Sequence, residues 1–294
     1  MSTLAQTVRQ HYEASIVDTS QLLAAVSRGL ADIEPPLSAD KLGAFDQFHV
    51  GGLATTAELA RRVQPAAGAL ILDAGSGLGG PSRHLAQSLG CRVIGVDLSP
   101  AYVAVADLLA RETGLQDRVH YRVASIADLP YEDGAFDVVW TQHVVMNLPN
   151  RDALYAEFRR VLKPEGQLAF YDPIAGDGAP GLHYPVPWAA DQSTSTLLTE
   201  SETRASLQWA GFDVVAFEDV SAMAAQLLAQ QQSAPRAALH LGMVLGPRLT
   251  EMAQNFGRNL KEGRVRLVMG VCKAVSHRRS WLRNPNPRGG GWNE

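Results

Sequence analysis

The sequence predicts a three-layer α/β fold, a parallel sheet covered by helices on both faces. Short apolar runs alternate with helical stretches from Ala69 onward: ALILD (69–73), RVIGVD (92–97), RVHYRVA (118–124), FDVVWTQ (136–142) and GQLAFYD (166–172). Most of these runs are near-continuously apolar, the texture of strands buried on both faces. The intervening stretches carry helix punctuation. Pro81 to Leu89 is opened by a proline, Pro100 to Thr113 is stopped by Gly114, and Arg151 to Leu162 ends before Lys163-Pro164.

The chain has 294 residues, 46% apolar and 19% charged, enough for one large globular domain with an appended cap. Its net charge of −4 lacks the basic excess of a general nucleic-acid binder. The segment up to about Val63 reads as helical, broken at Glu34-Pro35-Pro36, with a helix start at Leu37-Ser38-Ala39-Asp40; residues 1–68 form an expected N-terminal helical cap. Its opening, MSTLAQTVRQHYEAS, has no basic and apolar leader, and no run approaches the roughly 18 apolar residues of a membrane span, so a cytoplasmic protein is expected.

The α/β domain is expected over 69–275. After the fifth strand the stretch AGDGAPGLHYPVPW (175–188) is too long for a bare connection and marks a cap insertion at about 173–199. A helix (Glu200 to Ala210) and a strand (212–220) follow. A second, helical insertion occupies 221–262, with Met252 to Gly263 reading as a helix and its end, before the strand RVRLVMGVCKAV (264–275). The Arg, Pro and Gly-rich tail 276–294 is expected to be disordered. Cys91 and Cys272 form no CxxC pair, so neither a disulfide framework nor a metal site is expected. No heptad or interface stripe indicates an oligomer.

Chemistry concentrates in Asp73-Ala74-Gly75-Ser76-Gly77-Leu78-Gly79-Gly80-Pro81, where a strand ends, glycines turn the chain and a helix begins. Glycines allow close approach of a ligand, and the helix start presents free N–H groups. The spacing reads as GxGxG (Gly75, Gly77, Gly79) or as GxGxxG (Gly75, Gly77, Gly80), so an adenosine cofactor and a dinucleotide both remain open. Asp97 ends the second strand, where an acid can accept from both ribose hydroxyls; Ser99, before Pro100, is the better helix cap.

Taken in order, LILDAGSGLGG, VIGVDLS, the block Ser125-Ile126-Ala127-Asp128-Leu129-Pro130, Asp133-Gly134-Ala135-Phe136-Asp137 and Arg160-Val161-Leu162-Lys163-Pro164-Glu165-Gly166 resemble the motifs of class I S-adenosylmethionine-dependent methyltransferases. The resemblance covers about residues 69–172. It is closest to the group acting on quinones, tocopherols, sterols and sarcosine or dimethylglycine. It implies a doubly wound, Rossmann-like sheet of seven strands, mostly parallel with the last strand antiparallel, and methyl transfer to a small molecule. It implies further that Gly75, Gly77 and Gly79 line the methionine part of the cofactor, that Asp73 and Ser76 belong to the cofactor site, that Asp97 holds the ribose, and that Leu98 packs on adenine. The family's acid at the third motif is replaced by Ser125, whose hydroxyl can accept from the adenine amino group without charge; Ile126 follows it. Gln142 falls where the family touches the methionine moiety. Phe45-Asp46-Gln47-Phe48-His49-Val50-Gly51-Gly52 resembles the segment that folds over the cofactor, which puts His49 at the acceptor pocket.

Methyl transfer needs a base only if the acceptor must lose a proton. His143, one residue past the fourth strand, titrates near neutrality and is the expected base. Asn147 is expected to orient an acceptor polar group. Met146, Tyr184 and Trp188 belong to an apolar set, with Val144, Val145 and Val186, that suits a flat or lipophilic acceptor. Two rival readings stand beside this one. An NAD-dependent oxidoreductase would follow the GxGxxG spacing and bind NAD(H). A cofactor-binding protein without turnover would follow from Ser125 and yield no methylated product.

Overall fold

Residue alternation along the strands sorts the interior into two cores. The computed structural model describes residues 3–14, 16, 18–178, 180–233 and 239–275, so the tail expectation for 276–294 lies outside the described residues. In chain order the elements are α1 (Thr3–Glu13), α2 (Thr19–Ala31), α3 (Ala39–Asp46), α4 (Gly52–Val63), β1 (Leu70–Ala74), α5 (Gly80–Leu89), β2 (Arg92–Asp97), α6 (Pro100–Glu112), β3 (Val119–Val123) and β4 (Phe136–Gln142). They continue with α7 (Arg151–Val161), β5 (Leu162–Ala175), α8 (Glu200–Trp209), β6 (Phe212–Asp219), α9 (Ser221–Ser233), α10 (Gly242–Leu245), α11 (Leu249–Lys261) and β7 (Val265–Ala274).

The seven strands form one sheet in the order β3-β2-β1-β4-β5-β7-β6. β1 to β5 pair in parallel, and β7 runs antiparallel to both β5 and β6. Ile71, Val138, Trp140, Ala169 and Met269 face one way, onto α4, α5, α9 and α11; Leu72, Val139, Leu168, Phe170 and Val268 face the other, onto α7 and α8. Trp140 is fully buried in the first core, and its truncation to alanine would cost about 3–5 kcal/mol. A third cluster, built on Val26, Leu42 and Phe45, packs α2 and α3 onto Tyr102, Val105 and Leu109 of α6.

Helix starts follow the local chemistry. Ser38 Oγ accepts from Lys41 N at the head of α3, Ser99 Oγ from Tyr102 N at the head of α6, and Asn150 Oδ1 from Ala153 N at the head of α7. Thr199 and Glu202 form a capping box on α8, each such cap contributing about 1 kcal/mol.

One strand end differs from expectation for a physical reason. β5 runs on to Ala175, past the expected Asp172, because Pro173, Ile174 and Ala175 gain antiparallel partners in Leu267, Arg266 and Val265 of β7. α4, inside the segment assigned to the N-terminal cap, buries Leu59, Ala60 and Val63 directly against the sheet. Among the described residues no helix is long and apolar enough to cross a membrane.

Candidate active site

In an open parallel sheet, ligands sit beyond the carboxyl ends of the strands where the strand order reverses. Here that point lies between β1 and β4, and a cavity opens there. Its wall takes Asp73, Gly75, Ser76 and Gly77 from the end of β1 and the turn after it, Asp97 and Leu98 from the end of β2, and Ser125 and Ile126 from beyond β3. Gln142, His143, Met146 and Asn147 come from the end of β4 and the turn after it, with His49 before α4 and Trp188 from the loop after β5.

The glycine turn is forced by its surroundings. Gly75 has φ +84°, and a Cβ there would stand 2.5 Å from the Val144 side chain. Gly75 N and Ser76 N both donate to Val96 O at 2.9 Å, closing the turn over β2. Gly79 is one of four expected residues that do not line the cavity, with Tyr184, Val145 and Val186. It caps the start of α5 at φ +75°, and a Cβ on it would overlap the Tyr121 hydroxyl, so its role is to let the helix start against that ring.

Asp97 is held by two backbone donors: Gly77 N reaches its Oδ2 and Ser99 N its Oδ1, each at 2.9 Å. Burial raises its carboxyl above the usual range against those bonds. Asp73 accepts from Ser82 Oγ at 2.6 Å, and burial with Asp97 nearby pushes it to about 7. Asp46, also on the wall, is bound through Oδ2 to Arg83 at 2.7 Å, and burial raises it to about 6 against the pull of that guanidinium. Ser125 Oγ accepts from Ala127 N at 3.2 Å, which leaves its hydroxyl hydrogen and one lone pair for a ligand.

His143 has an unusual backbone for a non-glycine residue, with φ +53°. Its N–H donates to Tyr171 O at 2.8 Å, and its ring lies 4.9 Å from the Tyr171 ring. The ring is buried and its Nε2 has no hydrogen-bond partner, while burial, then the neighbouring His49, hold its pKa well below the usual imidazole range. A left-handed backbone at a buried polar side chain is strain concentrated at a site. His49 differs: its Nε2 lies 3.1 Å from Gly52 O, 3.0 Å from Thr56 Oγ1 and 3.1 Å from Gln142 Nε2. Burial lowers its pKa to about 4. Gln142 in turn accepts from Trp140 Nε1 at 2.8 Å, so its amide is fixed from behind.

Two expectations for the acceptor end change. Tyr184 does not line the cavity; it packs half-buried against the core instead. Asn147 lines it, but its Nδ2 donates to Trp188 O at 2.9 Å and Thr194 O at 2.7 Å, and its Oδ1 accepts from Tyr12 OH at 3.1 Å. Its donors are engaged in holding loop and helix, and none is left for an acceptor. Trp188 is pinned by Ser195 Oγ at 2.9 Å and stacks edge-on to Phe256 at 5.4 Å.

Sequence reading missed one side of the cavity entirely. Leu4, Ala5, Val8, Arg9 and Tyr12 of α1 line it, as do Tyr102 and Leu245. α1 is fastened by Tyr102 OH donating to Tyr12 O at 2.7 Å and by Ser99 Oγ donating to Glu13 Oε1 at 2.6 Å. The segment reads as helical in the sequence, but nothing local says what it covers.

The profile of the Methyltransferase domain family matches residues 72–170. A sarcosine/dimethylglycine N-methyltransferase of Halorhodospira halochloris is 30% identical over 216 residues, which is 73% of this chain and 75% of that protein. The chain belongs to the class I S-adenosylmethionine-dependent methyltransferases. A glycine/sarcosine/dimethylglycine N-methyltransferase of Actinopolyspora halophila is 38% identical over 148 residues, 46% of this chain and 26% of that longer protein. Among solved structures the [4+2]-cyclase SpnF superposes with a TM-score of 0.62 at 23% identity, covering 87% of this chain and 94% of that one, a likeness of fold. Membership in this methyltransferase family makes S-adenosylmethionine the cofactor and sets the oxidoreductase reading aside.

The wall suits that cofactor. Asp97 could accept from an adenosine diol, since its oxygens each keep a lone pair beyond the backbone bonds, and Ser76 Oγ and Asp46 Oδ1 are buried polar atoms that have no partner in the protein. Among the described residues no group of three or more His, Cys, Asp or Glu side chains is placed to hold a metal ion.

Proposed function

We propose that this methyltransferase acts on a small acceptor with an apolar or aromatic body, and that His143 is the base at its reacting group. The observation that carries the reading is the His143 imidazole, buried on the cavity wall at φ +53° with Nε2 unpartnered. Leu4, Val8, Met146, Leu148, Trp188 and Leu245 surround the rest of the acceptor space, which favours an acceptor recognised by apolar contact.

S-adenosylmethionine supplies a methyl group made electrophilic by its sulfonium. The chain contributes alignment and exclusion of water. Asp97 holds the ribose through its two oxygens, and Leu98 and Ile126 flank the adenine with Ser125 at its edge. Asp73, Gly75, Ser76, Gly77 and Gln142 surround the methionine moiety. His49, neutral because it is buried, keeps Gln142 in place and borders the acceptor. In this reading residues 1–68 and the segments 173–199 and 221–262 cap the cavity over a catalytic domain that spans 69–275.

The test is a comparison of acceptors with the full-length protein and S-adenosylmethionine, following S-adenosylhomocysteine and methylated product together. Turnover of lipophilic or aromatic acceptors, with the two products formed in equal amounts, is the expected result. Turnover confined to small zwitterions such as sarcosine would overturn the acceptor assignment. Tight binding of S-adenosylhomocysteine with no methylated product from any acceptor would favour a cofactor-binding protein.

A further inference from the structure

The cofactor cavity contains a carboxylate that the sequence reading leaves without a role. Asp46 ends α3, is 1% exposed and lines the cavity. Its Oδ2 is committed to Arg83, which is itself fully buried and also donates to Leu78 O at 2.7 Å. Its Oδ1 is buried with no hydrogen-bond partner. An unpartnered carboxylate oxygen in such a place is costly unless a ligand supplies a donor.

Its location narrows the donor. A Cβ on Gly80 would stand 2.6 Å from Asp46 Oδ1, so this oxygen sits beside the first residue of the ten-residue helix α5. A helix N-terminus attracts an anion, and Asp46 attracts a cation. The start of α5 is already served by Asp73, which accepts from Ser82, so the unpartnered Asp46 oxygen calls for a cationic donor such as the ammonium of a zwitterion. Of the other acids on the wall, Asp97 is fastened by two backbone N–H groups, and Asp73 takes the Ser82 hydroxyl and is pushed to about 7. Asp46, at about 6 with Arg83 beside it, is the better anion near neutrality.

We propose that Asp46 is a further cofactor-binding residue, its Oδ1 accepting a hydrogen bond from the α-ammonium of the cofactor's methionine moiety. The assignment rests on this cavity being the S-adenosylmethionine site. It makes Arg83 a positioning residue, which holds Asp46 through Oδ2 and favours its ionised form.

The experiment measures, by calorimetry, the affinities of S-adenosylhomocysteine and of its deamino analogue, in which hydrogen replaces the α-ammonium, for the wild type and for Asp46→Asn. The wild type is expected to prefer the natural compound, and Asp46→Asn to reduce that preference by about 10–100-fold, the scale of one charge-assisted hydrogen bond. Affinity for the deamino analogue should change little, which also reports an intact site. If Asp46→Asn does not fold because Arg83 is left as an uncompensated buried charge, the paired variant Asp46→Asn/Arg83→Met takes its place in the same comparison. Equal loss for both compounds, or an unchanged preference, would overturn the role of Asp46 and leave its oxygen to a buried water. Failure of the wild type to bind either compound would overturn the cavity assignment itself.

Discussion

The Tyr12 hydroxyl donates to Asn147 Oδ1 across 3.1 Å, joining the first helix to the turn that follows β4. The two residues are 135 positions apart, and both line the cavity. Tyr12→Phe removes it and leaves a buried amide oxygen short of a donor. The expected result is a loss of about 1–2 kcal/mol in stability and faster amide hydrogen exchange confined to α1. Exchange that rises equally across the sheet would show that the bond supports the whole fold instead.

Asp97→Ala should weaken S-adenosylhomocysteine binding by about 1.5–3 kcal/mol, since it removes the charge-assisted bonds proposed between Asp97 and the ribose. It also frees the N–H groups of Gly77 and Ser99, which Asp97 now accepts from. A thermal-shift titration reads the change directly, because ligand stabilisation follows RT ln(1 + [L]/Kd). Unchanged affinity would refute the ribose assignment.

Asp73 gives a pH prediction whose sign is fixed. Its folded pKa, about 7, lies above the ordinary carboxyl value, so the native state holds a proton that the unfolded chain has released. That contribution to stability is complete below the ordinary value and is lost as pH rises through about 7. Asp73→Asn cannot titrate. Relative to the wild type its stability should therefore gain with pH between about 4 and 7, by at most about 1.4 kcal/mol per unit. Denaturant melts of both proteins at several pH values measure this. A constant difference would mean that Asp73 is ionised throughout.

His143→Gln should lower kcat and abolish the acidic limb of the kcat/KM profile. The sequence alone placed that limb near neutrality. Burial, then the neighbouring His49, hold the imidazole well below its usual range, so the limb should appear on the acid side, with activity lost as pH falls through it. If the limb survives in His143→Gln, His143 only shapes the pocket.

What was legible in the sequence was local. The strand, glycine turn and helix around Gly75 and Gly77, and Asp97 at the next strand end, lie within a short stretch, so spacing alone could locate them. Ser99 was recognisable as the cap of α6 because capping acts over three residues. Tyr184 and Trp188 are equally apolar neighbours, and only the fold turns Trp188 to the cavity and Tyr184 away from it. Asn147 reads as a free polar group until the loop carbonyls of Trp188 and Thr194 fold onto it. Asp46 looks like the polar end of a helix, and its significance depends on Arg83 and Gly80, both more than thirty positions away.

Ser99 donates its N–H to Asp97 and its hydroxyl to Glu13 of α1, so one residue bridges the proposed ribose acid and the covering helix. Such a bridge makes two events thermodynamically reciprocal. Whatever occupancy at Asp97 adds to the ordering of α1, ordering α1 must return to occupancy by the same factor. Cofactor should then enter while the helix is loose and be retained once it docks, and an acceptor lying against Leu4 and Val8 would slow the escape of a cofactor it never touches.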